Sequence, residues 1–454
     1  MTDAPASLHF VVDLLQTMPL ARAARIALLA GLAATAPVVR AQAPDTLRLD
    51  AVLGALYADN PTLQAARLDA RALARRGDQV GALPDPTASV MVAPYPILTA
   101  RGTQRSQWRV EQMLPWPGTL GLRRDAADAA AEVARIGADV TALDLAQRAT
   151  RAYADLVRTQ QAAEIVRSFQ ARLDAFAEAA AVRYEVGRGP QGAILQVQLE
   201  RQRLAERLID LAQQRDRAVQ SLARVLDRPG LTVSDRVVTP TPALPTDLDL
   251  DALALSLRPE IAQAQARIDQ AEADVALARA AYRPDLGVGV VYTDVAPADA
   301  PPTATGRDAL GLMASVRIPL GRDRIRAGVD EARLRQQAAE ARLQATQTAV
   351  QADVADALSD ARRAAESVAL YRDVLLPQSL TTVESALAGY TTGTVDFLAF
   401  LDAERARFQI QLGLVDARAR LLDAAAALAR AVGLTTPDSL PRSGGALAPS
   451  PQDR

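Results

Sequence analysis

From Pro117 to Pro190 the chain contains no proline, and its apolar residues recur at spacings of three and four. Val133, Ile136, Val140 and Leu143 follow that rhythm, with alanines filling most other inward positions. The pattern predicts a helix from about Gly118 to Gly187, on the order of 100 Å long at a rise of 1.5 Å per residue. A second such run, from about Arg322 to Tyr390, is interrupted only by Pro377. Helices of this length cannot close on a globular core. They are expected to pack side by side as coiled-coil-like hairpins, with returning helices at about Gln191 to Asp227 and Val395 to Val432.

The reversals carry matching punctuation. "YEVGRGPQGAILQVQLER" (Tyr184 to Arg201) returns as "YTTGTVDFLAFLDAERAR" (Tyr390 to Arg407). Gly187 and Gly189-Pro190 in one copy, and Gly393 in the other, are read as helix ends, because glycine tolerates the left-handed backbone of a helix C-terminus. Thr394 or Asp396 can cap the second return helix, with Phe397, Leu398, Phe400 and Leu401 as its apolar face.

Three more segments recur in the same order, about two hundred residues apart. "DNPTLQAARLDARALARR" (Asp59 to Arg76) is answered by "LRPEIAQAQARIDQAEAD" (Leu257 to Asp274), each with a proline where the first helical turn lacks a partner for an N–H. "LPDPTASVMV" (Leu83 to Val92) is answered by "YRPDLGVGVV" (Tyr282 to Val291), and "WRVEQMLPWPGTLGLRR" (Trp108 to Arg124) by "LMASVRIPLGRDRIRAG" (Leu312 to Gly328). A unit of helix, strand pair and long helical hairpin is therefore used twice. The repeats are placed at 44–240 and 241–434, with strand pairs at 87–113 and 286–318 and long hairpins at 118–227 and 322–432. The stretch "PYPILTARGT" is read as the turn joining the first pair. Period-two alternation places Val90 and Val92, and Val288, Val290 and Tyr292, on single apolar faces, as membrane barrel strands require. The same alternation also describes any exposed hairpin.

Composition narrows the chemistry. The chain has 454 residues, 49% hydrophobic but 4% aromatic, and a formal net charge of −2 with signs alternating along helical faces. A nucleic-acid binder would need a basic patch. There is no cysteine and one histidine, His9. No nucleophile–base pair, phosphate-cradling glycine loop or metal-ligand spacing stands out, so no catalytic, cofactor or metal residues are assigned and an enzyme is not expected.

From Met18, "MPLARAARIALLAGLAATAPVVRAQA" has two arginines, a short apolar run and Ala41-Gln42-Ala43, the pattern of an export signal covering residues 1–43. No later segment has 18 uninterrupted apolar residues, so any membrane crossing is expected as β-strands. The tail from Thr435 to Arg454, rich in proline, glycine and serine, is expected to be disordered.

Four strands cannot close a barrel, whereas three copies supply twelve strands and twelve helices that can. Together with Asn60-Pro61-x-Leu63, Leu83 to Pro86, Leu114 to Gly118, Arg283 to Asp285 and both Tyr-x-x-Gly tips, this layout resembles the outer-membrane efflux channel family, the TolC-like proteins. The Leu114 to Gly118 segment looks most like the branch paired with heavy-metal RND exporters. The resemblance implies a mainly α fold with a small β part: a homotrimeric α-helical barrel of coiled-coil hairpins under a 12-stranded transmembrane β-barrel set in outer-membrane lipid. It implies an exit duct for heavy metals or drugs, working with a periplasmic adaptor (membrane fusion protein) and an inner-membrane RND or ABC pump, without a cofactor. By family position, Tyr184, Gly187, Arg188, Tyr390 and Gly393 form the adaptor-facing tips. Asp402, nine residues after Gly393, matches an acidic constriction position, with Gln196 as its first-half counterpart. A type I protein-secretion channel and a periplasmic coiled-coil scaffold are the alternatives.

Overall fold

A computed structural model describes residues 46–186, 191–233, 236–245, 249–299, 301–302 and 304–440. The export signal, Gly187, Arg188 and the tail beyond Leu440 lie outside the described residues. The elements run α1 (Leu49–Asp59), α2 (Pro61–Val80), β1 (Thr87–Thr99), β2 (Gly102–Leu114), α3 (Thr119–Glu185) and α4 (Gln191–Leu226). The second half repeats them as α5 (Leu250–Leu257), α6 (Pro259–Ala280), β3 (Asp285–Ala296), β4 (Ala309–Arg317), α7 (Arg322–Ala369), a π-helical turn (Leu370–Leu375), α8 (Leu376–Thr392) and α9 (Phe397–Val432). A 3₁₀ turn, Pro437–Ser439, follows, and Leu440 is buried against α5 and α9. The expected disorder therefore does not apply to Thr435–Leu440, where an apolar anchor and the Thr436 side-chain cap hold the chain.

The α1–α2 break is written in Asn60-Pro61. The buried Asn60 accepts from the Leu63 N–H at 2.9 Å and donates to the Val225 carbonyl at 2.7 Å. Pro61 then occupies the first turn, where its missing N–H leaves no bond unmade. α3, at 67 residues, is the longest element. It packs against α2, α4, α6 and α9, while α7 packs against α6 and α9. Near the sheet the helices lie in the row α2–α3–α6–α7, and farther away in the row α4–α3–α9–α7. Alanines such as Ala149, Ala152, Ala417 and Ala425 are fully or almost fully buried along these seams, which lets the backbones approach closely. Among the described residues no substantial packing joins the two ends of either row.

Tyr153, fully buried on α3, fastens the first described residues. Its hydroxyl donates to the Leu47 carbonyl at 3.1 Å and the Val238 carbonyl at 2.5 Å, beside the short parallel bridge Leu47–Val237. Burial pushes its phenol, and that of Tyr57, up to about 12. Because the folded pKa lies above the ordinary phenol value of 10.0, this stability is complete below pH 10 and is lost as pH rises toward 12. Spectroscopic phenol titration is expected to show Tyr57 and Tyr153 ionising only near pH 12. Tyr153→Phe should lower unfolding stability by about 1–2 kcal/mol and flatten the alkaline loss.

The four strands form one antiparallel sheet in the order β1-β2-β3-β4, the β2–β3 pairing joining the two halves. β1, β2 and β3 exceed the expected lengths, while β4 ends one residue before the expected Ile318. In particular, "PYPILTARGT" is not simply a turn: β1 continues to Thr99, and only Ala100-Arg101 reverses the chain. Pro94 and Pro96 fall in the irregularity between Val92 and Ile97, on an edge strand, where a missing N–H breaks no ladder. Pro377 does not break the second long helix. The π-turn just before it absorbs the disturbance, and the Tyr371 ring fills the place where a side chain would stand on Gly413 of α9.

Candidate functional site

Two regions carry the residues expected to matter: the helical tips and the sheet. At the second tip α8 ends on Gly393, whose φ of 80° is the left-handed conformation foreseen for it. Asp396, rather than Thr394, caps α9, accepting from the Ala399 N–H at 2.9 Å. Phe397, Phe400 and Leu401 are buried as expected, but Leu398 is exposed. Tyr390 packs into the turn, stacked on Phe400 at 5.8 Å between ring centroids and edge-on to Phe397 at 5.7 Å. Tyr184 differs: it lies near the end of α3 with its side chain exposed. The two equivalent tyrosines thus divide the roles, one anchoring its turn and one presented to solvent.

Asp402 sits one turn along α9, its side chain 70% exposed, with Arg405 Nη1 donating to it at 3.0 Å. Gln196 on α4 is half-buried and does not match it. The burial pattern of the return helices aligns Ala193, Val197, Glu200 and Leu204 with Phe397, Leu401, Glu404 and Phe408. In that register the partner of Asp402 is the exposed Gln198. Counting from the tip glycines misplaces it by two residues, because packing between helices, not the turn, sets the register.

That register exposes what the sequence reading overlooked. "Glu-Arg-x-Arg" occurs at Glu200 to Arg203 and again at Glu404 to Arg407, and both glutamates are buried. Arg405 donates through Nε and Nη2 to Glu200 Oε2, at 3.1 and 2.8 Å, tying α9 to α4. Arg172 of α3 places Nε 3.4 Å from Glu404 Oε2, while its Nη1 donates to Ser168 Oγ at 2.9 Å and its guanidinium lies 5.4 Å from the Phe169 ring centre. Removing one partner of such a pair would strand a buried charge. The duplicated tetrapeptide was the available signal, since solvated charges have no reason to recur at equivalent buried positions.

In the sheet, Val90 and Val92 of β1, Trp108 and Val110 of β2, Val288, Val290 and Tyr292 of β3, and Leu310, Leu312 and Val316 of β4 share one exposed face by register. The opposite face carries Ser89, Gln107, Arg109, Glu111, Thr293 and Ser315, where Ser315 Oγ donates to Glu111 Oε1 at 2.7 Å. An apolar face bare to the surroundings and a hydrogen-bonded polar face are what a strand wall between lipid and water requires. Among the described residues no helix is long and apolar enough to cross a membrane.

Long paired helical hairpins, used twice, are joined to a four-stranded sheet with one apolar face. Residues 251–434 match the family model described as outer membrane efflux protein. The pyoverdine export outer membrane protein OpmQ of Pseudomonas putida is 32% identical over 189 residues, a stretch covering 39% of this chain and 38% of that relative. The fold of the outer-membrane channel OprN superposes with a TM-score of 0.70 at 22% identity, covering 85% of this chain and 89% of that one. The open-state MtrE outer membrane channel of Neisseria gonorrhoeae gives 0.69 at 20% identity, over 86% and 90%. The second half of the chain thus resembles the outer membrane efflux proteins, and the fold over most of the chain is that of solved outer-membrane channels.

Proposed function

We propose that three copies of this chain close into the exit duct of a tripartite efflux system, carrying small solutes from an inner-membrane pump and its periplasmic adaptor across the outer membrane. The observation that carries the reading is a single surface problem met twice. Among the described residues the sheet ends in unpaired edges at β1 and β4, and the helical rows do not close on themselves. In lipid an unpaired strand edge leaves polar groups unsatisfied, and closure removes the edge. Three copies supply twelve strands and a complete helical wall. Purified protein in detergent is expected to migrate as a trimer and to give discrete ion-conducting steps in a planar bilayer. A stable single-chain species without conductance would overturn the reading and favour a periplasmic scaffold.

For the cargo, the P. putida relative is named for pyoverdine export, while the Leu114 to Gly118 motif looks like the heavy-metal branch. Export of small solutes is common to both, and type I protein secretion is the alternative use of the same duct. We assign the adaptor-gripping surface to the tips, with Tyr184 and the turn at Gly393 as its described members, joined by Gly187 and Arg188, and with the half-buried Tyr390 as the support of its turn.

Threefold repetition would make Asp402 a ring of carboxylates favouring cations. Arg405 already shares each carboxylate, so the ring is a weak filter. Asp402→Ala is expected to shift the reversal potential under a potassium chloride gradient modestly away from cations. An unchanged reversal potential would remove Asp402 from the constriction.

A further inference from the structure

At the junction of sheet and helices lies a depression of about 580 Å³, lined in part by Thr119, Arg123, Arg283, Asp285, Arg317 and Arg324. Four arginines and one aspartate therefore line one depression. Among the described residues none of the four makes an ion pair or side-chain hydrogen bond, although arginines elsewhere in the chain commonly do. Arg317 stands opposite Asp285 in the β3–β4 register, on the same sheet face as Ser315 and Glu111, so the cluster belongs to the polar side of the wall.

Two long helices begin beside it. α3 starts at Thr119 behind Gly118 and α7 at Arg322 behind Gly321, both without a side-chain cap. The aligned peptide dipoles of each helix add partial positive charge at its N-terminus. Thr119 is only 8% exposed, and its hydroxyl has no hydrogen-bond partner among the described residues. Gathering like charges around an unsatisfied hydroxyl is unfavourable unless something negative sits among them. The chain contains no lysine, and all four cations lining the depression are arginines. Arginine presents planar forks suited to carboxylate or phosphate oxygens.

We infer that this depression is an anion-binding station at the mouth of the strand wall, taking a multiply charged solute that bears phosphate or carboxylate groups from the polar side. The inference deepens the duct reading and rests on it only for the source of the solute. The first test is calorimetric titration of the detergent-solubilised protein with pyrophosphate at low salt, repeated with the double variant Arg283→Gln/Arg317→Gln. Losing two charge-assisted contacts should weaken binding by about tenfold or more. Arg283→Lys should retain part of the affinity, and Arg322→Gln, an exposed arginine outside the lining, all of it. Binding should also weaken as salt rises.

The second readout is ion selectivity in planar bilayers, where the double variant should shift preference toward cations. Protein that conducts normally but binds no pyrophosphate, with selectivity unchanged in the double variant, would overturn the station. Protein that binds pyrophosphate in an arginine-dependent way but never conducts would keep the station and sink the duct. An anionic phospholipid that co-purifies with the wild type and is lost from the double variant, with no pyrophosphate binding, would mean a headgroup site and overturn the assignment to a solute.

Discussion

Leu312→Arg is expected to abolish most stable insertion of the protein into the outer membrane, whereas Met313→Arg, one residue on, should insert nearly as well as wild type. Leu312 is 90% exposed on the apolar face of the sheet, while Met313 points to the face carrying Ser315 and Glu111. An arginine turned toward hydrocarbon near mid-membrane costs about 2–4 kcal/mol in a β-barrel, and three copies would incur it three times over. The measurement is the amount of trimer remaining in outer membranes after an alkaline carbonate wash. Equal retention of the two variants would mean that the face does not meet lipid. Because the substitutions are adjacent and chemically identical, a general effect of adding an arginine cannot separate them.

Phe400→Ala should have the next largest effect. Phe400 is almost wholly buried, stacked on Tyr390, and edge-on to Phe176 of α3 at 4.9 Å. One ring thus joins the turn at Gly393 to the neighbouring hairpin. Truncating a buried phenylalanine typically costs about 3–5 kcal/mol. The loss should appear as early thermal melting of the helical part and as proteolytic cleavage close to the turn. Leu398→Ala, at an exposed position two residues away, should stay within about 0.5 kcal/mol of wild type. Comparable losses in both would show that the aromatic cluster does not hold the tip.

The long helices were legible because proline is excluded over the whole stretch between Pro117 and Pro190, and the strand starts because alternation follows each Pro-Asp motif. The length of β1 was hidden. Pro94 and Pro96 forbid a central strand but not an edge strand, and edge position is decided by the order of four strands drawn from both halves. The buried glutamates were hidden for a similar reason. Glu200 reads as a solvated helix position until Arg405, about two hundred residues away, is brought against it. The arginine cluster is the extreme case, assembled from α3, the α6–β3 link, the end of β4 and the start of α7. Periodicity reports what one element needs from its surroundings, whereas these sites depend on which elements become neighbours.

The two bare ends of the protomer also have a genetic consequence. In a ring of three, each copy offers β1 to one neighbour and β4 to the other, so a chain defective at a single edge still joins by its sound one and leaves the ring unsealed. If half the chains in a cell carried such a lesion and mixed at random, only about one ring in eight would be free of it. A defective allele at either edge should therefore be dominant over the wild type. A chain that never folds is excluded from mixed rings, and its allele should be recessive.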